Sequence, residues 1–370
     1  MMITKVQVQQ AWTIARIEMR RAFLSKRGLW VYLLALFPAV AFFGHGLQMK
    51  FMEERWSRNG LTQARVVDSF TKGEKVDEIL KRAPNPSFDH EWTNRREDEG
   101  DRDDKDRKTQ PEEPQRRRAI SYYDGQRVID LRFTNGVLVE KHVRFFRDPT
   151  DDRRVFAVIF QFFYLRLAIF FGCLGIFMNL FRGEMLDKTL HFWFLAPVRR
   201  EVLLAGKYLA GLVASTVIFG GGALLGYAAM LWPNTGVDAQ AFIAAAGWSH
   251  AFWYAAAATL GCLGYGSVFL AAGLLLKNPI IPAAVILLWE SINNFLPAAL
   301  QKLSVLYYLQ SLCPESALID EQQPLLRLLL APAAPASKSL AVLGLVLVTA
   351  LVLWAASRAV TRIEINYSTE

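Results

Sequence analysis

The sequence holds few of the groups on which covalent chemistry or metal binding rests. Three cysteines in 370 residues are too few for a disulfide framework. Cys173 and Cys262 fall inside apolar blocks, and Cys313 falls in a loop. The five histidines (45, 90, 142, 191 and 250) do not cluster at metal-ligand spacing, and no H-E-x-x-H helix occurs. No G-x-x-x-x-G-K-[ST] loop is present: Gly206-Lys207 is followed by Tyr208 and lacks the upstream glycine. The chain therefore carries no recognisable ATP-hydrolysing module. Two local absences matter as much. Residues 233–251 contain no Lys or Arg, and Glu290 is the single carboxylate within the long apolar blocks.

What is present is segregated. The chain is 53% hydrophobic and 21% charged, yet most charges fall in residues 50–154. The remainder gathers into apolar blocks of about 20 residues, the length that crosses a bilayer's hydrocarbon core. They lie at about 29–48, 155–181, 208–232, 252–276, 280–299 and 338–357. The formal net charge of +8 would suit a polyanion, but its basic residues flank the blocks on alternate sides. That placement serves membrane orientation and argues against a nucleic-acid partner. Arg166 inside the second block costs about 2.5–3.5 kcal/mol on insertion. Its 17 Leu, Ile, Val and Phe residues, at about −0.3 to −0.6 kcal/mol each, outweigh that cost.

Residues 1–28 read as an amphipathic helix along the membrane surface, with Val8, Ala11, Trp12, Ala15, Met19, Ala22 and Phe23 as its apolar stripe. The apolar run after it is too long for a cleavable leader and is taken as a retained first span. Residues 49–154 are expected to form a separate domain. Helical segments fall in 61–82, and 95–118 (RREDEGDRDDKDRKTQPEEPQRRR) is expected to be disordered for want of apolar side chains. VIDLRF and VLVEKHVRFF on either side of Thr134-Asn135-Gly136 predict a hairpin. Basic residues near the N-terminus, in 182–207, at Lys277 and in the tail 358–370 place those segments in the cytoplasm by the positive-inside rule. The expected fold is thus an all-α polytopic membrane protein of six transmembrane helices with both termini cytoplasmic. An α+β extracytoplasmic domain is inserted between spans one and two.

The loop RGEMLDKTLHFWFLAPVRREVLLAGKYLAG, residues 182–211, is the most informative stretch. Residues 184–196 can form a short amphipathic helix that Pro197 ends, and Glu201 to Lys207 begin a helix continuous with the third span. Such a helix would act as a lever on the spans. This loop resembles the signature of ABC-2 type transporter permeases, roughly E-x-x-x-G-T-L-E-x-L-L-x-x-P-x-x-R-x-E-x-x-x-G-K. Glu184, Thr189, Leu190, Pro197, Arg200, Gly206 and Lys207 match in register. Lys188, His191 and Trp193-Phe194 depart from it, and Glu201 comes one place early.

The resemblance implies an exporter's membrane subunit with no cofactor of its own. ATP and Mg would sit on a separate ABC ATPase subunit, docked through Glu184, Leu186, Thr189, Leu190, Trp193, Pro197, Arg200 and Glu201. A second copy of the permease, or a paralogous one, would complete the path, in contact with membrane lipids and an extracytoplasmic partner. Arg166 in the second block, and Glu290, Asn293 and Asn294 in the fifth, are costly in a membrane and suggest a polar translocation path or an Arg166–Glu290 pair. A secondary transporter would need ion-coupling carboxylates and internal repeats, and a membrane-embedded enzyme a polar constellation; neither is visible.

Overall fold

The computed structural model describes residues 5–24, 28–58, 62–94, 115–186, 193, 195, 197–234, 236–276, 280–293, 296–302, 304–315 and 335–362. It divides into two compact units, Met1–Gly44 with Thr150–Glu370, and His45–Pro149. Helices α1 (Lys5–Leu24) and α2 (Leu29–Arg58) open the chain, with Pro38 inside α2.

In the unit His45–Pro149, short helices α3 (Ala64–Asp68) and α4 (Val76–Arg82) precede an antiparallel meander. Its strands β1 (Phe88–Asn94), β2 (Gln115–Tyr123), β3 (Arg127–Thr134) and β4 (Val137–Phe145) lie in sequential order. Thr134 pairs with Val137 across Asn135 and Gly136, which both take positive φ (51° and 79°). This two-residue turn matches the right-handed twist of its strands. The alternation of β3 places Ile129, Leu131 and Phe133 on the face that packs against Val67, Phe70 and Ile79 of the helical side. Residues 115–118, expected to be disordered, instead form the first half of β2, where Arg118 pairs with Asp89 at 2.5 Å. Strand pairing satisfies their backbone, so they need no apolar side chains. Residues 95–114 of that expectation lie outside the described residues.

The β2–β3 turn is held by one carboxylate. Asp124 accepts from the backbone N–H of Gln126 (2.9 Å) and Arg127 (2.6 Å) and from Arg127 Nε (2.9 Å). Burial alone would raise its pKa, but hydrogen bonds from the Arg127 and Gln126 backbone and the Arg127 guanidinium together hold it below its ordinary value. A carboxyl depressed on folding contributes stability above its unfolded pKa and loses it as pH falls through the folded one. Stability of this unit, read by tryptophan fluorescence of the full chain, is expected to drop from about pH 4 downward. Asp124→Asn should flatten that acid slope.

The other unit is helical. Helix α5 joins Pro149–Val158, a π-helical stretch Ile159–Ala168 and Ile169–Leu186. Helix α6 joins Arg200–Ser215, a π-turn Thr216–Gly220 and Gly221–Leu231. Helix α7 joins Val237–Phe242, a π-turn Ile243–Gly247 and Trp248–Leu275. Then come α8 (Ile280–Ile292), α9 (Ala298–Gln301), α10 (Val305–Leu312) and α11 (Lys338–Arg362). Among the described residues, Leu29–Arg58, Pro149–Met185, Arg200–Leu231, Ala239–Leu275 and Lys338–Thr361 are long and apolar enough to cross a membrane.

The expected continuous fifth span, 280–299, is not one. Helix α8 stops after 13 residues, about 20 Å at 1.5 Å per residue, short of the roughly 30 Å hydrocarbon core. Polar Asn293 follows its last residue, and Pro297, which lacks an N–H, starts α9. The chain regains a regular helix at α10, which lies antiparallel to α7, with Leu309 beside Gly261 and Val305 beside Gly264.

Small residues let these helices approach closely, the usual device where lipid removes the hydrophobic drive. A Cβ on Gly266 would come within 2.5 Å of the Phe177 ring, and one on Gly222 within 2.5 Å of the Ala35 carbonyl. Gly264 and Gly266, two residues apart on α7, thus serve close helix packing. The π segments face each other: the Tyr164 hydroxyl donates to the Phe219 carbonyl at 2.7 Å.

Helix α1 does not use its expected stripe as a lipid-facing surface alone. Ile14 and Ala15 are buried while Val8 and Trp12 remain exposed. The buried side packs on α6, where Gly206 leaves room for the Ala11 carbonyl and Ile14.

Candidate coupling site

The signature residues converge where α5 ends and α6 begins. Lys207, about two turns into α6, is completely buried, and its ammonium reaches three acceptors. These are Glu18 Oε1 of α1 at 2.8 Å, Glu184 Oε2 of α5 at 2.9 Å and the Leu180 carbonyl at 2.9 Å. The ammonium donates hydrogen bonds to Glu18 and to the Leu180 carbonyl, and pairs with Glu184 by charge. Glu184 Oε1 in turn accepts from the Trp193 indole N–H at 3.0 Å. The Lys207 ammonium also lies 5.4 Å from the Phe181 ring and 5.5 Å from that of Trp193, a range at which a cation gains from aromatic faces.

The consequence is mechanical. Two carboxylates and one ammonium, all buried, tie α1, α5, α6 and Trp193 into one block. A buried pair adds little net stability over apolar packing, but breaking it is expensive, so the block resists separation. The Gln10 amide adds a weak donation to the Pro197 carbonyl at 3.4 Å.

Among the expected docking residues, Glu184 and Arg200 bond within the chain. Glu184 was expected to face an ATPase. It is 8% exposed and committed to Lys207 and Trp193, so it positions the loop from behind. Arg200 was assigned the same role, but its guanidinium donates to the Val360 (3.3 Å) and Thr361 (3.4 Å) carbonyls, capping the end of α11. Glu184, Met185 and Leu186 are the last residues of α5, not the start of a separate helix. Glu201 sits in the first turn of α6, where a negative charge suits the helix dipole. Thr189 and Leu190 lie outside the described residues. Pro197 is exposed, and Leu195 is 79% exposed.

The second group of candidates lies around the gap between α8 and α10. Glu290 caps α10: it accepts from the Ser304 hydroxyl and, at 3.1 Å, from the Val305 N–H. Ser304 also accepts from the Tyr307 N–H at 3.2 Å. Arg166 is within electrostatic reach of Glu290 and Tyr265, but the expected Arg166–Glu290 ion pair does not form. The helix N-terminus, with its unsatisfied N–H groups, is the carboxylate's partner instead. Asn293 is 3% exposed, and Asn294 lies outside the described residues.

Sequence reasoning missed Glu18 altogether. Its signal was there: a lone acid among Arg16, Arg20 and Arg21, placed on the buried side of α1 with Ile14 and Ala15. Also missed was Glu315, whose carboxylate approaches Arg153 (3.5 Å) and His250 (3.8 Å), while its carbonyl accepts from Gln161 at 2.6 Å. Among the described residues, no group of three or more His, Cys, Asp or Glu could hold a metal ion.

A family model described as ABC-2 family transporter protein matches residues 12–279. That range contains α1 from residue 12 onward, the signature loop and the whole of the Lys207 cluster. No curated protein and no solved structure matches the chain.

Proposed function

From the premise that the chain belongs to the ABC-2 family of transporter proteins, we propose that it is the permease subunit of an ATP-driven exporter. A separate ABC ATPase subunit carries ATP and Mg and docks on the loop 184–196. The observation that carries this reading is the buried Glu18–Lys207–Glu184 cluster behind an exposed Leu195. An exposed large apolar side chain on a firmly backed loop is what a protein partner would grip. Force applied there passes through Trp193 and Glu184 into α5, and through Lys207 into α6 and α1. The block then moves as a unit, which is what conversion of ATPase closure into opening of a path demands.

In this reading α8 and α10 together make one interrupted crossing, so the chain crosses six times and both ends are cytoplasmic. Interrupted helices are tolerated at membrane depth where protein buries the freed backbone, and Glu290 performs that service at the break. A second copy or a paralogous permease completes the path. The unit His45–Pro149 then lies outside, where it would cover the exit or meet an extracytoplasmic partner.

The docking face is tested by a photo-crosslinking side chain placed at position 195 of the full chain, in cells that also make its ATPase. A crosslink to a P-loop ATPase is expected. Crosslinks to lipid alone, with the ATPase present at normal levels, would refute the docking face.

A further inference from the structure

The break in the fifth crossing leaves polar groups that its own structure does not satisfy. Nε and Nη2 of Arg166 are buried and lack a hydrogen-bond partner. So does Oδ1 of Asn293. The Tyr265 hydroxyl, on a residue 1% exposed, faces Glu290 without reaching bonding geometry. A buried donor left unmade costs about 1–3 kcal/mol, and more when charged. Arg166 stands in the π-helical stretch of α5; such stretches are often found at functional positions. The Phe162 ring lies 5.5 Å from its guanidinium, and the residue as a whole is partly exposed.

What could complete this arginine? Among the described residues, no carboxylate bonds to these two nitrogens. Glu290 is the only acid in the apolar blocks, and its oxygens serve Ser304 and Val305. A second copy of the chain would bring the same sequence and the same commitment. Snorkelling is also closed to the two buried nitrogens. Counting about 1.5 Å per residue, Arg166 lies roughly 17 Å from the start of its apolar block, too deep for a resting lipid headgroup.

We infer that Arg166, with Tyr265 near it, forms an intramembrane site for the anionic head group of an amphiphile in transit. The guanidinium supplies two parallel N–H donors, the geometry that matches a phosphate or carboxylate. Tyr265 can donate a third bond to the same head group. The exposed apolar side chains Phe162 and Leu167, which flank Arg166 on α5, suit the acyl portion. This inference rests on the export reading, since only a transported molecule needs such a site at that depth.

The test uses the purified full chain in neutral detergent, without any ATPase. Binding of dioctanoyl phosphatidylglycerol, dioctanoyl phosphatidylcholine and inorganic phosphate is followed by intrinsic tryptophan fluorescence. Wild type is expected to prefer the anionic lipid by about tenfold, the size of one charge-assisted contact. Arg166→Gln should abolish the preference, Arg166→Lys should keep most of it, and Tyr265→Phe should weaken it. Melting temperatures monitored in parallel separate loss of the site from loss of the fold, and Arg166→Lys carries the test if Arg166→Gln does not fold. Equal binding of the two lipids, or an Arg166→Gln protein that still discriminates, would overturn the site. Saturation by inorganic phosphate with no effect of lipid would overturn the amphiphile. Because no ATPase takes part, failure here leaves the docking result at position 195 untouched, and the reverse holds too.

Discussion

Lys207→Met is expected to destabilise the helical unit by about 3–5 kcal/mol, because removing one partner leaves buried carboxylates uncompensated. Glu18 and Glu184 are 3% and 8% exposed, and Lys207 is 0% exposed, so water cannot replace the missing ammonium. Thermal unfolding in detergent should show the loss as a large drop in midpoint. The same argument predicts a rescue. When Glu18→Gln and Glu184→Gln are added to Lys207→Met, the buried charge disappears, and much of the lost stability should return. A triple variant no better than the single one would mean that the Lys207 stem, not its charge, holds the block together.

The next largest effect is expected at Gly206. A Cβ there would sit 2.8 Å from the Ala11 carbonyl and 2.9 Å from the Ile14 Cβ. The nearest atom is backbone, which cannot swing aside as a side chain does. Gly206→Val must therefore push α1 off α6, at about 1–3 kcal/mol for overpacking alone. The larger consequence is geometric, since Glu18 travels with α1 and its 2.8 Å contact to Lys207 opens. A cysteine at Ile14, which is 4% exposed, should resist thiol reagents in the parent protein and react once Val occupies 206. Unchanged protection of that cysteine would show that α1 can absorb the extra methyls without moving.

These two residues show what the sequence could and could not reveal. Gly206 and Lys207 stood out by motif, and the motif located the right loop. It could not say that Lys207 is buried, because its partners come from α1 and α5, 189 and 23 residues away by their numbering. The motif marked Glu184 but not its bonds to Lys207 and Trp193, because pattern carries position along the chain, not the direction a side chain faces. The apolar blocks located the membrane helices from composition, since about 20 apolar residues have few other uses. Block 280–299 deceived because its composition is apolar while its helix stops at Ile292, before Asn293 and Pro297. The hairpin at Asn135-Gly136 was readable because a two-residue turn with positive φ is a local demand. Strand β2 was not, because Arg116, Arg117 and Arg118 owe their place to partners across the sheet.

The central claim is that residues 184–196 receive force from an ATPase through an exposed face and pass it inward through a buried charge cluster. Leu195→Glu separates the two halves of that claim, since a residue 79% exposed can change without disturbing the fold. The decisive measurement is ATP hydrolysis by the partner ATPase, reconstituted in vesicles with wild-type permease or with the Leu195→Glu form. The expected result is a permease with unchanged melting temperature but at least about a tenfold weaker grip on the ATPase, the equivalent of one lost apolar anchor, and hydrolysis reduced accordingly. Full binding and full stimulation by Leu195→Glu would contradict the account.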